Sequence, residues 1–335
     1  MNLLATLHRW AGATIGAILI VLGLSGVALV WEDQWIGVPG ANDRADVSAS
    51  ALTRTVNSAI AHHAGLTRIT FAGDSIGLHQ AAYADGSGAY LNGQGAIVEQ
   101  WSGMWQRPEL WIFDLHHYLF AGDIGKTITG VAGLAGVFFV ISGAILWWRT
   151  RRTFVFRLWP KRMTRSAIIR QHRDLGIIVA PLLFVVMLSG TVMIFKPIGA
   201  VLVAPFPATV EHPALPATQV DRTDWNAIFR LAEKTFPGAE IRRIQFRDGT
   251  TSIRLRQSFE WTPNGRSFLR IDNTGIVTVD APTATLDRQS VTEKFYPIHA
   301  GKVGGNGWKI VLTLTGISMV MLGALAFFGF WLRRK

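Results

Sequence analysis

Four stretches of the chain run without a single Asp, Glu, Lys or Arg: residues 10–31, 127–148, 175–195 and 310–332. Each reaches the length of about 20 apolar residues that a helix needs to cross a bilayer core, so the pattern predicts four transmembrane helices. The first is 22 residues long, beyond the about 7–15 of a signal-peptide core, and is expected to be a retained span. In residues 32–126 and 196–309 the pattern changes to short runs punctuated by turn residues. The first of these segments predicts a helix over 51–64, then strands over 68–71, 77–83, 89–92 and 96–98, the last two joined through Gly93-Gln94-Gly95. The second repeats the order, with a helix over 225–236 and strands over 241–246, 251–257, 268–271 and 276–279, the last two joined through residues 272–275. The expected architecture is a four-helix membrane protein with two small external α+β units, residues 149–174 being a connecting loop.

Composition agrees with a membrane protein: 49% of the residues are hydrophobic, only 16% are charged, and 13 are Trp. The absence of cysteine excludes disulfide scaffolds, thiolate zinc sites, Fe–S clusters and covalent haem attachment. The net charge of +11 is explained by topology. Residues 149–173 hold nine Lys or Arg and no acid, and the chain ends Arg333-Arg334-Lys335. The positive-inside rule puts both in the cytoplasm, and the N-terminus with them, which removes the case for nucleic-acid binding. No nucleophilic triad, paired catalytic carboxylates, P-loop or dinucleotide-binding glycine motif is present.

Shifting the sequence against itself by 164 residues lays His8-Arg9 on His172-Arg173, Gly12 on Gly176, and Leu24-Ser25-Gly26 on Leu188-Ser189-Gly190. A shift of 183 lays His116 on His299, Gly122 on Gly305, Lys126 on Lys309, Gly133 on Gly316 and Trp148 on Trp331. The chain therefore reads as a parallel duplication of helix, external unit and helix. His8 and His172 fall at the cytoplasmic ends of their spans, whereas His116 and His299 precede the external ends of theirs. At about 1.5 Å per residue the two levels lie about 35 Å apart, too far to share one metal. One imidazole from each half, at one depth in a helix bundle and without thiolates, suits a bis-His b-type haem, so two levels predict two haems. Gly12, Gly16 and Gly176 would let a macrocycle approach the backbone, while Arg9 and Arg173 at one level and Lys126 and Lys309 at the other would meet its propionates.

Blander readings compete. Histidines at helix ends can be interfacial polar residues, Arg9 and Arg173 can be cytoplasmic anchors, and Gly133 and Gly316 read as helix-packing positions. Trp147, Trp148, Trp308 and Trp331 read as interfacial belt residues. His117 competes with His116 for the external ligand position, and the repeat register favours His116. His62, His63, His79 and His212 have no repeat partner and are expected to be solvated or packed.

The segments Leu7-His8-Arg9-Trp10-Ala11-Gly12, Gly23-Leu24-Ser25-Gly26, Ser142-Gly143 with Trp147-Trp148-Arg149, and Tyr296-Pro297-Ile298-His299-Ala300-Gly301 resemble the PepSY-associated transmembrane proteins. The resemblance covers nearly the whole chain and implies that the external units are PepSY-like domains. It also implies an activity, that of bacterial inner-membrane reductases of ferric siderophores of the ferrioxamine-reductase type. Carried over, it gives haem-ligand roles to His8, His116, His172 and His299. The expected partners are the lipid bilayer, a ferric siderophore or similar ferric chelate, and a cytoplasmic flavin reductase or a membrane quinol as electron donor. Two other functions remain open at this stage: a quinol-linked cytochrome b serving another periplasmic acceptor, and a non-enzymatic PepSY anchor or protease regulator.

Overall fold

The computed structural model describes residues 3–73, 76–157, 159–203, 210–211, 218–282 and 291–331. In chain order the elements are α1 (Leu3–Val30), α2 (Glu32–Trp35), α3 (Ala49–His62), β1 (Leu66–Thr70), β2 (His79–Tyr83), β3 (Gly88–Leu91), β4 (Ile97–Trp101), α4 (Pro108–Tyr118) and α5 (Gly122–Trp148). They continue with α6 (Arg165–Ile194), α7 (Lys196–Val203), β5 (Val210–Glu211), α8 (Trp225–Thr235), β6 (Glu240–Arg247), β7 (Thr250–Arg256), β8 (Ser267–Ile271), β9 (Val277–Pro282), α9 (Val291–His299) and α10 (Gly305–Trp331). The chain forms two compact units. A helical unit takes Met1–Trp31, Ile112–Ala204 and Phe295–Lys335, and a sheet unit takes Glu32–Trp111 and Pro205–Lys294.

In the helical unit α1, α5, α6 and α10 are each long and apolar enough to span a membrane, so this is a multi-pass membrane protein whose helices contact lipid. All four begin before the charge-free stretches do. The segment expected to be a loop through residue 174 is helical from Arg165, because a helix satisfies its own backbone and can continue into the polar interface while long basic side chains reach water. Gly122 and Gly305, 183 residues apart, open α5 and α10 with φ of 54° and 58°, a left-handed conformation that glycine adopts without a Cβ clash.

Helix α1 packs along α10 and α5 along α6, with α6–α10 and α1–α5 contacts completing the bundle. Glycines set the close approach in both main pairs. A Cβ on Gly23 would fall 2.9 Å from Met319 Cε and from Val320 Cγ2, and one on Gly133 would fall 2.6 Å from Thr191 Oγ1. Lipid offers no hydrophobic drive between helices, so backbone proximity and van der Waals packing carry the association. Leu19, Ala132, Leu183, Met187 and Met319 form the buried centre.

The sheet unit corrects the expectation of two separate external units. Its strands, all antiparallel, run β4-β3-β2-β1-β6-β7-β8-β9-β5 among the described residues, so segments 32–126 and 196–309 share one sheet. The joint is β1 on β6, with Arg68 opposite Gln245, Ile69 opposite Ile244 and Thr70 opposite Arg243. Unjoined, each of these strands would be an exposed edge carrying unpaired backbone groups. Helices α3 and α8 pack together over the joint, and Leu52, Val56, Ile228 and Phe229 bury against Ile69, Ile244, Ile253 and Leu269 in a single core. Local signals explain why both helices were legible: Ser48 Oγ accepts the Ala51 N–H at 3.4 Å, and an Asp224 carboxylate oxygen accepts the Ala227 N–H at 2.9 Å. The β8–β9 turn is set by Asp272 Oδ1, which accepts the N–H groups of Thr274 and Ile276.

His62 and His63 are exposed, whereas His79 is fully buried in the sheet unit; His212 lies outside the described residues. Nδ1 of His79 accepts the Ala72 N–H at 3.0 Å, so its neutral ring carries the proton on Nε2. Burial, aided by the positive charge of Arg242, lowers its pKa from 6.5 to about 4. The unfolded chain then binds more protons than the folded one between these values. Stability contributed here is present above pH 6.5 and is lost as pH falls toward 4, by about 2 kcal/mol at pH 5. Thermal melts followed by near-ultraviolet circular dichroism should show a larger loss between pH 7.5 and pH 5 in the wild type than in His79→Asn, whose amide oxygen still accepts from Ala72. Equal losses would remove His79 as the cause.

Candidate functional site

Two histidine pairs form within the helical unit. His8 on α1 and His172 on α6 have ring centroids 6.2 Å apart at an interplanar angle of 79°. His116 on α4 and His299 on α9 are also 6.2 Å apart, at 48°. A separation of about 6 Å is what two imidazoles would keep if one nitrogen of each held a single metal at about 2.0 Å. The short helices α4 and α9 that carry the second pair were not anticipated, since neither has the length or periodicity that marks a helix in sequence.

The hydrogen bonds fix which nitrogen of each ring carries the proton. His8 Nδ1 lies 2.8 Å from Ser142 Oγ, whose single proton is already donated to the Phe138 carbonyl at 2.6 Å. Nδ1–H of His8 must therefore be the donor. Ser25 Oγ donates to the Val21 carbonyl at 2.8 Å and receives His116 Nδ1–H at 2.9 Å. Ser189 Oγ donates to the Val185 carbonyl at 2.7 Å, and His299 Nδ1–H is shared between Ser189 Oγ at 3.1 Å and the Val186 carbonyl at 3.0 Å. His172 Nδ1–H goes to the Leu322 carbonyl at 3.0 Å, which can only accept. Each neutral ring thus presents a bare Nε2 lone pair, the arrangement in which a second contact orients a metal-ligating imidazole.

Three of these rings rest on a Ser-Gly dipeptide within a span. A Cβ would fall 3.1 Å from His116 Cε1 at Gly26, 3.0 Å from His299 Cε1 at Gly190, and 3.5 Å from His8 Cε1 at Gly143. The hydroxyl takes the ring proton while the glycine makes room for the ring. In the sequence, Leu24-Ser25-Gly26 aligns with Leu188-Ser189-Gly190 and Ser142-Gly143 belongs to the family resemblance, but none of these serines carried a role. The recurring Ser-Gly within an apolar span was the available signal.

Between the helices at the His8–His172 level lies a cavity of about 450 Å³, within the about 300–1,000 Å³ usual for ligand pockets. It is lined by Gly12, Gly16, Gly136, Gly176, Leu183 and Met319 among others. Gly12 and Gly16 border open space, with no atom within 4 Å of a Cβ built on either. The walls are almost entirely apolar, and no group of three or more His, Cys, Asp or Glu able to hold a metal occurs among the described residues. A bare cation would want four to six protein or water ligands. Two imidazoles 6.2 Å apart at an apolar cavity would instead serve a group that brings further ligands of its own, and the residues fit a b-type haem. At the His116–His299 level the donor pair and its seats are present, and the fit rests on those alone.

Other expected residues divide. His117 stacks on Phe113 at 4.0 Å and its Nδ1 bonds the Phe113 carbonyl, so His116 is the one paired with His299. Arg9 lines the cavity with its guanidinium 5.9 Å over the Phe330 ring. Arg173 also lines it but is committed to Asp174 at 2.7 Å and to the hydroxyl and carbonyl of Thr153, pinning the turn after α5. Lys126 is exposed, whereas Lys309, on which the 183-residue shift lays it, is buried with Nζ 5.3 Å over the Trp31 ring. The four expected cations therefore do not form two equivalent sets. Trp148 and Trp331 are exposed as belt residues would be, Trp308 Nε1 donates to the Ile298 carbonyl, and Trp147 lines the cavity.

The family model of the PepSY-associated TM region matches residues 5–334. The chain belongs to this family. No match is found among curated proteins. The match to the PepSY-associated region takes in all four spans, both histidine pairs, the three Ser-Gly seats and the sheet unit.

Proposed function

We propose that this protein is a bacterial inner-membrane electron-transfer protein holding two b-type haems, one at His8–His172 and one at His116–His299, that reduces a ferric siderophore or similar ferric chelate on the periplasmic side. The observation that carries this reading is the doubled pair of imidazoles, each with Nδ1–H engaged and Nε2 bare. Bound there, haem supplies one-electron chemistry at iron. Ser25, Ser142 and Ser189 and the Leu322 carbonyl orient the rings, and the surrounding apolar helices exclude water. The nine basic residues over 149–173 favour cytoplasmic termini, with residues 32–126 and 196–309 as PepSY-like periplasmic segments of a duplicated chain.

Redox chemistry supports the substrate class that the family resemblance suggests. Hydroxamate and catecholate chelates hold Fe(III) more tightly than Fe(II), so a single electron loosens the metal without breaking the ligand, and no general acid or nucleophile is required. Segment 196–309 carries fifteen Lys or Arg against eleven acids, whereas segment 32–126 carries five against ten, which favours an anionic complex at the former. Electrons come from a cytoplasmic flavin reductase or a membrane quinol.

The test is the visible spectrum of the purified protein before and after dithionite, followed by reoxidation with a panel of ferric chelates. A low-spin b-type spectrum that ferric chelates reoxidise is expected. A colourless preparation points to a PepSY anchor, and a reduced spectrum indifferent to ferric chelates points to another acceptor. Ser189→Ala leaves His299 only the Val186 carbonyl, and haem loss from that level should quicken about tenfold. Unchanged loss, measured by transfer to an apo-globin acceptor, would show that the hydroxyl does not matter.

A further inference from the structure

Arg165 was hidden among the basic residues of 149–173, yet the fold sets it apart from them. Its Nε donates to the Gly329 carbonyl at 3.0 Å, which draws its guanidinium to the end of α10 and into the lining of the cavity at the His8–His172 level. Arg9 reaches the same place from α1, over the ring of the next residue, Phe330. Two guanidiniums from different helices thus converge on Gly329–Phe330, at the rim of a mostly apolar cavity. Arg173, the cation the repeat would pair with Arg9, is instead held by Asp174 and Thr153. Gathering two cations beside a low-dielectric cavity costs repulsion that two anions would offset, and a guanidinium engages a carboxylate through two parallel N–H donors.

We propose that Arg9 and Arg165 form a clamp for a dicarboxylate edge on the molecule that fills this cavity, so that the site selects a planar cofactor bearing two free carboxylates over its neutral counterpart. The clamp rests on the haem reading given above and adds to it the pair of residues that distinguishes the acid from the ester. Arg165 holds one carboxylate, Arg9 the other, and the α10 terminus positions both guanidiniums through the Gly329 carbonyl and the Phe330 ring.

Full-length apo-protein in a His299→Ala background, which stands as wild type for every variant so that only the His8–His172 level takes up haem, can be produced under haem limitation, kept in detergent and titrated with protohaem and with protohaem dimethyl ester. The wild type should bind the free acid about tenfold more tightly than the ester, and Arg9→Gln/Arg165→Gln should bind both equally, at the wild-type affinity for the ester. Arg152→Gln, exposed and away from the cavity, should keep the wild-type preference. A double variant that retains the preference for the acid overturns the clamp. So does one that loses affinity for acid and ester alike, since that marks a structural role. A wild type that takes up neither porphyrin sinks the haem reading itself, an outcome distinct from both.

Discussion

His172→Ala should leave the purified protein with half of its haem, lost from one level only. The second pair depends on other elements, His116 on α4 seated at Ser25 and His299 on α9 seated at Ser189, so nothing that holds it is removed. Pyridine haemochrome analysis against protein concentration reads the stoichiometry, and His299→Ala should give the complementary half. Low-spin signals from the surviving level should keep their wild-type positions. Retention of full haem content in either variant would show that the rings paired at 6.2 Å are not the ligands.

Gly16→Leu and Gly23→Leu should part company, although both place the same side chain on α1. Gly16 borders open space in the cavity, so leucine there fills a void without pushing a neighbour, and the apo-protein should melt at or above the wild-type temperature while haem binding at the His8–His172 level is abolished. A Cβ on Gly23 would fall 2.9 Å from Met319 and Val320 and 3.1 Å from the Gly316 carbonyl oxygen, so leucine there must wedge α1 from α10 at a cost of about 1–3 kcal/mol or more. Thermal stability and haem content measured together separate the two effects. A Gly16→Leu protein with full haem would mean that the cavity serves something else.

The four spans were legible because a membrane imposes a blunt requirement, an uninterrupted apolar length, and the strands were legible because turn residues bracket them. Pairing of the four histidines followed from register alone. What stayed hidden lay in three dimensions. Arg173 and Arg9 align as repeat partners, yet Asp174, with no acidic counterpart at Trp10, takes one of them out of use. Arg165 looked like one more basic residue until the end of α10 came to meet it. The fusion of the two polar segments depended on β1 and β6 finding each other across more than a hundred and fifty residues, a pairing that no local pattern encodes.

That fusion has a bearing on how such a chain could have arisen. Following the order of helix and four strands in each segment, β1 and β6 occupy corresponding places, and they lie antiparallel with Ile69 directly across from Ile244. An antiparallel contact between equivalent strands is what a twofold axis produces when two identical molecules associate. If the chain is a duplication, a shorter forebear with one helix pair and one half-sheet would have had to seek its other half in a second molecule, and gene fusion would have turned that concentration-dependent encounter into a tethered one. On that reading, tethered halves would be free to drift apart in sequence, as where the 183-residue shift lays Trp147 on Phe330.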